Sequence, residues 1–543
     1  MRASTARRSS SSSIKFSAIN QPLLPDNGGY YGSIRSKKKV RRPFLSAITD
    51  EDNVDDEDRL DLEGYDASVD TTWEEPEVSV TTEVQEIAKA SLPLSVTFFF
   101  EYLLAMNSLF FIGHLGSAEL ASASLAVMTF NITGMAMFEG MSSCLDTFCS
   151  QAYGAKKFFK VGIYAQRCTV MIMTLSIPVL LCWWHSGYLL SFIVPERELL
   201  QYTQDYMRIL CAGAPGLIIF ETTKRYLQAQ EIFHASTYVL FFCLPMNLFL
   251  NYFLINNIGF IGAPIAVIVT YWFMASFLIL YIIFVDGMAC WNGFTIRAFK
   301  HWKRMLHLAV PGFVMIESEY LSFEILTVMA SYFGTESLAA QSIISNVGSL
   351  TYQLPFAVGC AISTRVAIYI GSGSMSSSKV SVRISFFVAA AVGLFTCMVI
   401  IIFRGPLTRL FSSDEEVIEK SIQNMPILAV NQLTDTFNII AAAVLRAQGR
   451  QKGGSILNVI SYYVIALPLS YILAFRYGFE ISGLWIGLGV GITVLAIGEV
   501  LMVVHSKWPQ IIRAAQDTQE EEELIIEDDS STACSSLRSF EEE

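Results

Sequence analysis

Pro93-Leu94-Ser95-Val96-Thr97-Phe98-Phe99-Phe100-Glu101-Tyr102-Leu103 has a counterpart in Pro311-Gly312-Phe313-Val314-Met315-Ile316-Glu317-Ser318-Glu319-Tyr320-Leu321. The two copies lie 218 residues apart (319 − 101), and a proline opens both. The same offset carries Gly116 to Gly334, Leu120-Ala121 to Leu338-Ala339, and Leu227-Gln228-Ala229-Gln230 to Leu445-Arg446-Ala447-Gln448. One register held from Pro93 to Gln230 marks an internal duplication. Each copy is apolar yet keeps an acid inside it. Twin apolar lobes with ionisable groups at mid-span are the pattern of a membrane transporter.

Composition agrees. Hydrophobic residues make up 53% of the 543 residues and charged residues 16%, against about a quarter charged in soluble domains. Mean hydropathy is +0.45. No Asp, Glu, Lys or Arg occurs between Ala235 and Val285, room for two spans of about 20 residues and a turn. The apolar runs place spans near 91–112, 120–142, 168–190, 207–222, 236–255, 262–285, 306–332, 338–362, 384–403, 422–444, 455–475 and 483–504. The fourth and tenth are the weakest, because acids interrupt them. The fold expected is an all-α membrane protein of twelve transmembrane helices in two six-helix lobes.

Residues 86–290 form the first expected lobe, 291–305 a cytosolic linker and 306–506 the second lobe. Residues 1–85 and 507–543 are expected to be disordered cytosolic tails that hold much of the acid behind the net charge of −12. That balance therefore says little about acidic substrates, and nucleic acid is not an expected partner. Arg35, Lys37, Lys38, Lys39, Arg41 and Arg42 form a basic cluster in the first tail, more in keeping with a solvated segment than an anionic-lipid site. The ten cysteines sit mostly in apolar runs without metal-ligand spacing and are read as packing residues.

Loop charge orients the chain. Sixteen Lys and Arg, among them Lys156, Lys157, Lys160, Arg167, Lys224, Arg225 and Arg304, are assigned to even-numbered loops, against six in odd-numbered ones. Positive loops stay in the cytosol, which puts both termini there. With six spans per copy, the two lobes insert the same way round. A pseudo-two-fold axis along the membrane normal then relates them, with the substrate path between.

A carboxylate at mid-bilayer costs at least about 2.5–3.5 kcal/mol and so asks for a role. Candidates for proton coupling and substrate binding are Glu319, Glu324 and Asp435, then Glu101 and Glu139, with Glu317 sharing the side of Glu324. At about 100° per residue, Glu319 and Glu324 diverge by roughly 140° around their helix and line a broad face. Burial favours a protonated carboxyl, so a group alternately wetted and buried can exchange a proton. When ionised it attracts a cation, and proton and substrate then compete for one place. Glu221 and Glu499 lie near span ends and are expected to reach water, while Asp146 is expected to order the second loop.

Gly113-His114-Leu115-Gly116, Asp146-Thr147 with Gln151-Ala152-Tyr153-Gly154, and Tyr226-Leu227-Gln228-Ala229-Gln230 follow one another in the first lobe. Val310-Pro311, Ser322-Phe323-Glu324, Ala340-Gln341-Ser342-Ile343, Thr364-Arg365-Val366 and Val444-Leu445-Arg446-Ala447-Gln448-Gly449 do so in the second. In this order the chain resembles the multidrug and toxic compound extrusion family, in its eukaryotic branch, from about Pro93 to Lys507. The resemblance implies a V of two six-helix lobes and antiport of organic substrates, usually against protons. It also implies that Glu319 and Glu324 match the acids of the family's seventh span, and Asp435 the acid of its tenth. Two departures stand out. Tyr320 and Leu321 follow Glu319 where members often carry two tryptophans, and Glu101 stands where a neutral polar residue is expected.

The function expected is export of small, cationic organic molecules from the cytosol in exchange for protons by a monomer of the vacuolar or plasma membrane. A sodium-coupled antiporter of the same architecture and a lipid-linked precursor flippase are the alternatives. The flippase calls for a basic cavity, which these spans do not offer. No nucleophile–base pair, metal cluster or phosphate loop suggests an enzyme or a cofactor.

Overall fold

The computed structural model describes residues 78–192 and 196–541, which belong to one compact unit, Trp73–Glu543. The basic cluster of the first tail lies outside the described residues. Among the described residues there is no strand.

Among the described residues, twelve helices run back and forth through the two lobes. They are α1 (Val80–Ile112), α2 (Ser117–Gly154), α3 (Phe158–Trp184), α4 (Arg197–Leu210 and Ala214–Ala229), α5 (His234–Ile258) and α6 (Gly262–Phe284) in the first lobe. The second lobe has α7 (Trp302–Ser331), α8 (Thr335–Ser372), α9 (Met375–Phe411), α10 (Glu415–Ala447), α11 (Gln451–Arg476) and α12 (Glu480–Val504). Ten of these fall in runs apolar and long enough to cross a bilayer, α5 and α6 sharing one run. The exceptions are α4, broken at Cys211–Gly213, and α7, which carries Glu317, Glu319 and Glu324. The tenth span, expected to be weak, qualifies.

The duplication is visible in the packing. One large core, from Leu104 to Cys290, fills the first lobe and continues onto the start of α7 at Met305 and Ala309, and another, from Leu326 to Leu495, lies in the second. Helix α8 opens after Gly334, at φ 102, a left-handed geometry that favours glycine. The lobes meet through reciprocal contacts. A Cβ on Gly154 (α2) would collide with the Ile368 carbonyl (α8), and one on Gly371 (α8) with the Gln151 carbonyl (α2). The pairs are exchanged by a shift of 217 residues (371 − 154, 368 − 151), the behaviour of a two-fold contact. Close by, Thr147 donates to the Arg446 carbonyl at 2.5 Å and Gln151 to the Ala447 carbonyl at 2.9 Å. This seam closes the end of the bundle that carries the even-numbered loops.

Two expectations about the ends are corrected. Helix α1 begins at Val80, not after residue 85, and its Glu83 is fully buried. Arg365 donates to Glu83 at 2.7 Å, Tyr369 at 2.7 Å and Ser381 at 2.7 Å, which draws this polar first turn into the fold. The second tail is not disordered either: Trp508–Glu541 is a helix, α13. Trp508, Ile512, Ala515 and Glu522 are buried on one side of it. Glu522 pairs with Arg167 at 2.8 Å, Glu523 with Lys157 at 2.7 Å, and Glu521 with Arg304 at 2.9 Å. These partners lie on α3, the loop before it, and α7, so α13 touches both lobes. The acid run that reads as disordered in isolation is complementary to the basic loops beneath it.

Candidate functional site

Four helices wall a cavity of about 360 Å³ between the lobes, with two more from the second lobe. Helix α1 contributes Phe98, Glu101, Tyr102, Ala105 and Met106; helix α7 contributes Ile316, Glu319, Tyr320, Phe323 and Glu324. Each set has the spacing of one helical face. Each α7 residue also stands 218 positions after its α1 counterpart, from 316 − 98 to 324 − 106. Val127, Asn131 and Met135 of α2 answer Ser345, Ser349 and Gln353 of α8 in the same way. The duplication therefore built both walls.

The symmetry then fails. Helix α10 adds Leu428, Asn431, Gln432 and Asp435, and α12 adds Trp485 and Ile492, whereas their counterparts in α4 and α6 do not reach the cavity. The cavity leans into the second lobe. Ala105 and Ser349, on the side away from the glycine seam, are exposed.

Of the six residues singled out from sequence, Glu101, Glu139, Glu319, Glu324 and Asp435 share this cavity. Glu317 does not line it; it sits half-buried on α7, one residue off the lining stripe. Glu139 is aimed by a π-helical turn at Asn131–Met135, which shifts the register of α2 before Ala136. The Tyr320 hydroxyl donates to the Glu139 carboxylate at 3.4 Å across the lobe boundary. Asn438 donates to Asp435 at 3.1 Å. Among the described residues, no ion pair holds Glu139, Glu319, Glu324 or Asp435. An ionised carboxylate on Glu319, Glu324 or Asp435 is costly there unless a cation comes to it, and protonation removes that cost.

Glu101 differs. Lys224 of α4 lies 3.0 Å from it and 2.8 Å from Glu221. Lys224 and Arg225, assigned to a loop from sequence, are instead buried inside the first lobe. Arg225 chelates Asp146 at 2.7 and 2.8 Å and takes Ser142 Oγ as a further acceptor, while Arg446 approaches Asp146 at 3.8 Å from the second lobe. Asp146 thus orders the seam as well as its own lobe. Glu221 and Glu499 do not reach water: they are 1% and 0% exposed, held by Lys224 and by Asn458 at 3.2 Å. An i,i+3 neighbour was the signal for Glu221; Glu499 had none, because Asn458 comes from another helix.

With Tyr320 and Leu321 after Glu319 in place of two tryptophans, the cavity still has an aromatic wall. Phe98, Tyr102, Tyr320, Phe323, Tyr352, Phe356 and Trp485 line the cavity. Trp485 is fixed by its Nε1 hydrogen bond to Gln341 at 2.7 Å and by Asn431 bonding its carbonyl at 2.8 Å.

Comparison with known proteins places this geometry. The sequence model of the MatE family matches residues 93–253 and 311–472, two segments that begin at the duplicated prolines. A Saccharomyces cerevisiae protein described as an uncharacterized transporter is 40% identical over 447 residues, 82% of this chain and 64% of that one. The chain thus matches less than two thirds of that relative's length. Protein DETOXIFICATION 16 of Arabidopsis thaliana is 30% identical over 81% of this chain and 92% of its own. The crystal structure of the eukaryotic MATE transporter AtDTX14 superimposes with a TM-score of 0.77 at 26% identity, covering 81% of this chain and 99% of that one.

Proposed function

The chain belongs to the MatE family, and from that premise we propose that it is an antiporter that exports small organic cations from the cytosol in exchange for protons. The observation that carries the reading is the cavity: Glu101, Glu139, Glu319, Glu324 and Asp435 on one aromatic-walled surface with no Lys or Arg lining it. Carboxylates draw a cation, and ring faces favour one that is organic and weakly hydrated. Glu319, Glu324 and Asp435 are the leading coupling groups, since no fixed cation answers them, with Glu139 and Glu101 next.

The even-numbered loops and both termini face the cytosol in this reading, supported by their excess of Lys and Arg. The closed glycine seam is then the cytosolic gate, and the cavity faces the opposite side. Protonation of the bare carboxyls from that side releases the cation. Opening of the seam then delivers protons to the cytosol and exposes the site to new substrate.

Purified protein in vesicles tests the proposal. An imposed pH jump drives accumulation of tetraethylammonium, and E319Q abolishes it while the variant stays folded. Replacing sodium by potassium at constant pH leaves the rate unchanged. Transport that follows sodium and ignores the pH jump overturns proton coupling in favour of the sodium alternative.

A further inference from the structure

On the first-lobe wall, two carboxylates and two ring faces surround one ammonium group. Lys224 Nζ lies 3.0 and 3.3 Å from the two oxygens of Glu101 and 2.8 Å from Glu221 Oε1. It also sits 5.1 Å from the centre of the Phe98 ring and 5.3 Å from that of Phe220. Carboxylates supply the acceptors an ammonium needs, and aromatic faces suit its alkyl-substituted forms. The second oxygen of Glu221 is buried and has no hydrogen-bond partner, on a side chain only 2% exposed. The pocket therefore keeps an acceptor that Lys224 does not use, and two carboxylates face one ammonium.

Access to the pocket is lopsided. Glu101 and Phe98 line the cavity, whereas Lys224, Glu221 and Phe220 stand behind them. The Lys224–Glu221 pair lies within α4, at i,i+3, and stays together as that helix moves. The Lys224–Glu101 pair bridges α4 and α1 and is the one that can be exchanged. The second lobe has no equivalent: the positions matching Glu221 and Lys224 are Ile439 and Ala442 (439 − 221, 442 − 224).

We propose that Glu101, Glu221, Phe98 and Phe220 form a second ammonium site, occupied in this structure by the protein's own Lys224, and that the amine of a cavity-bound molecule replaces Lys224 at Glu101. Lys224 then withdraws onto Glu221 and its free oxygen. The lysine acts as an internal competitor and sets which cations are retained: an amine that cannot displace it at Glu101 is held by the second lobe alone. The proposal rests on the cavity being a passage for organic cations, but it concerns binding and not proton coupling.

The test uses full-length purified protein and n-butylammonium, which has the stem length of a lysine. Removing the lysine in K224A lowers the unfolding temperature, and millimolar n-butylammonium restores it by several degrees, far more than it shifts the unchanged protein. In K224A/E101Q that extra gain disappears. Equal shifts in K224A and the unchanged protein, or an undiminished shift in the double variant, overturn the proposal. E101Q alone keeps the Lys224–Glu221 pair and does not depend on folding without the lysine. Its affinity for n-butylammonium, read by tryptophan fluorescence, falls at least about tenfold, and an unchanged affinity likewise overturns the proposal. None of these readings involves a pH gradient, so their failure leaves proton antiport standing, and failure of pH-driven transport leaves them interpretable.

Discussion

Glu101 and Glu319 occupy the same place in the two copies, and the cavity receives both, yet their chemistry is opposite. Glu101 is bound to a buried amine at 3.0 Å; Glu319 has no ion partner among the described residues. The cause is a single matched position, lysine at 224 and alanine at 442. A second matched pair, Met106 and Glu324, deepens the contrast by giving the second lobe an extra cavity carboxyl. The comparison teaches that duplication supplied the walls of the cavity, and that a few positions differing between the copies decide which of the matched acids has a lysine behind it.

The strongest way to break this contrast is to remove the bare acid. E319Q should lower pH-driven uptake by at least about tenfold, the consequence of losing roughly 1.4 kcal/mol or more from one charged contact. The E101Q uptake rate should fall less, and equal losses in the two variants would erase the distinction. The next test transplants the difference. A442K should place an amine beside Glu319 as Lys224 stands beside Glu101, and should suppress proton coupling while leaving membrane insertion intact. A variant that inserts normally and still couples fully would show that the two walls are not equivalent in geometry.

Two smaller effects probe where the lobes remain alike. G154A and G371A each force a methyl group against a carbonyl of the other lobe, at an expected cost of roughly 1–3 kcal/mol to the closed seam. Both should speed thiol labelling of a T147C reporter to similar extents, and unequal effects would contradict the two-fold contact. The smallest effect concerns α13. The Glu523 carboxyl is held below its ordinary value of 4.5, first by the Lys157 hydrogen bond. A depressed carboxyl adds to docking above the ordinary value and loses that contribution as pH falls through the lowered one. Protection from hydrogen exchange over residues 508–524, taken relative to the intrinsic rate at each pH, should therefore fall under acid, and E523Q should lower it more mildly at neutral pH, worth at most about 1 kcal/mol for so exposed a pair.

Much of this was legible in the sequence because it is periodic. The repeat located both prolines and both glutamates, and the apolar runs marked where helices cross. Acids interrupting those runs pointed to five of the cavity's residues. What escaped depended on distance in the chain. Lys224 reads as a loop cation beside Arg225, since nothing local announces a partner 123 residues earlier on α1. Glu83 reads as tail because its partners lie at Arg365, Tyr369 and Ser381. Glu317 reads as lining because helical angle places it with Glu324, but Glu324 already stands at the edge of the stripe set by Ile316, Glu319, Tyr320 and Phe323, and Glu317 falls about 20° beyond it. The acidic segment after Trp508 has too few apolar residues to predict an ordered helix without the basic surface that receives it.

The exchanged glycine contacts carry a final consequence. A surface on which each half offers the same two positions to the other is how two identical chains pair into a symmetric dimer. Joined end to end in one polypeptide, the partners keep that self-matching join while their interiors no longer need to agree. One half can then set a lysine behind the acid of its wall while the other leaves the matching acid without one, a difference that two copies of one sequence could not encode.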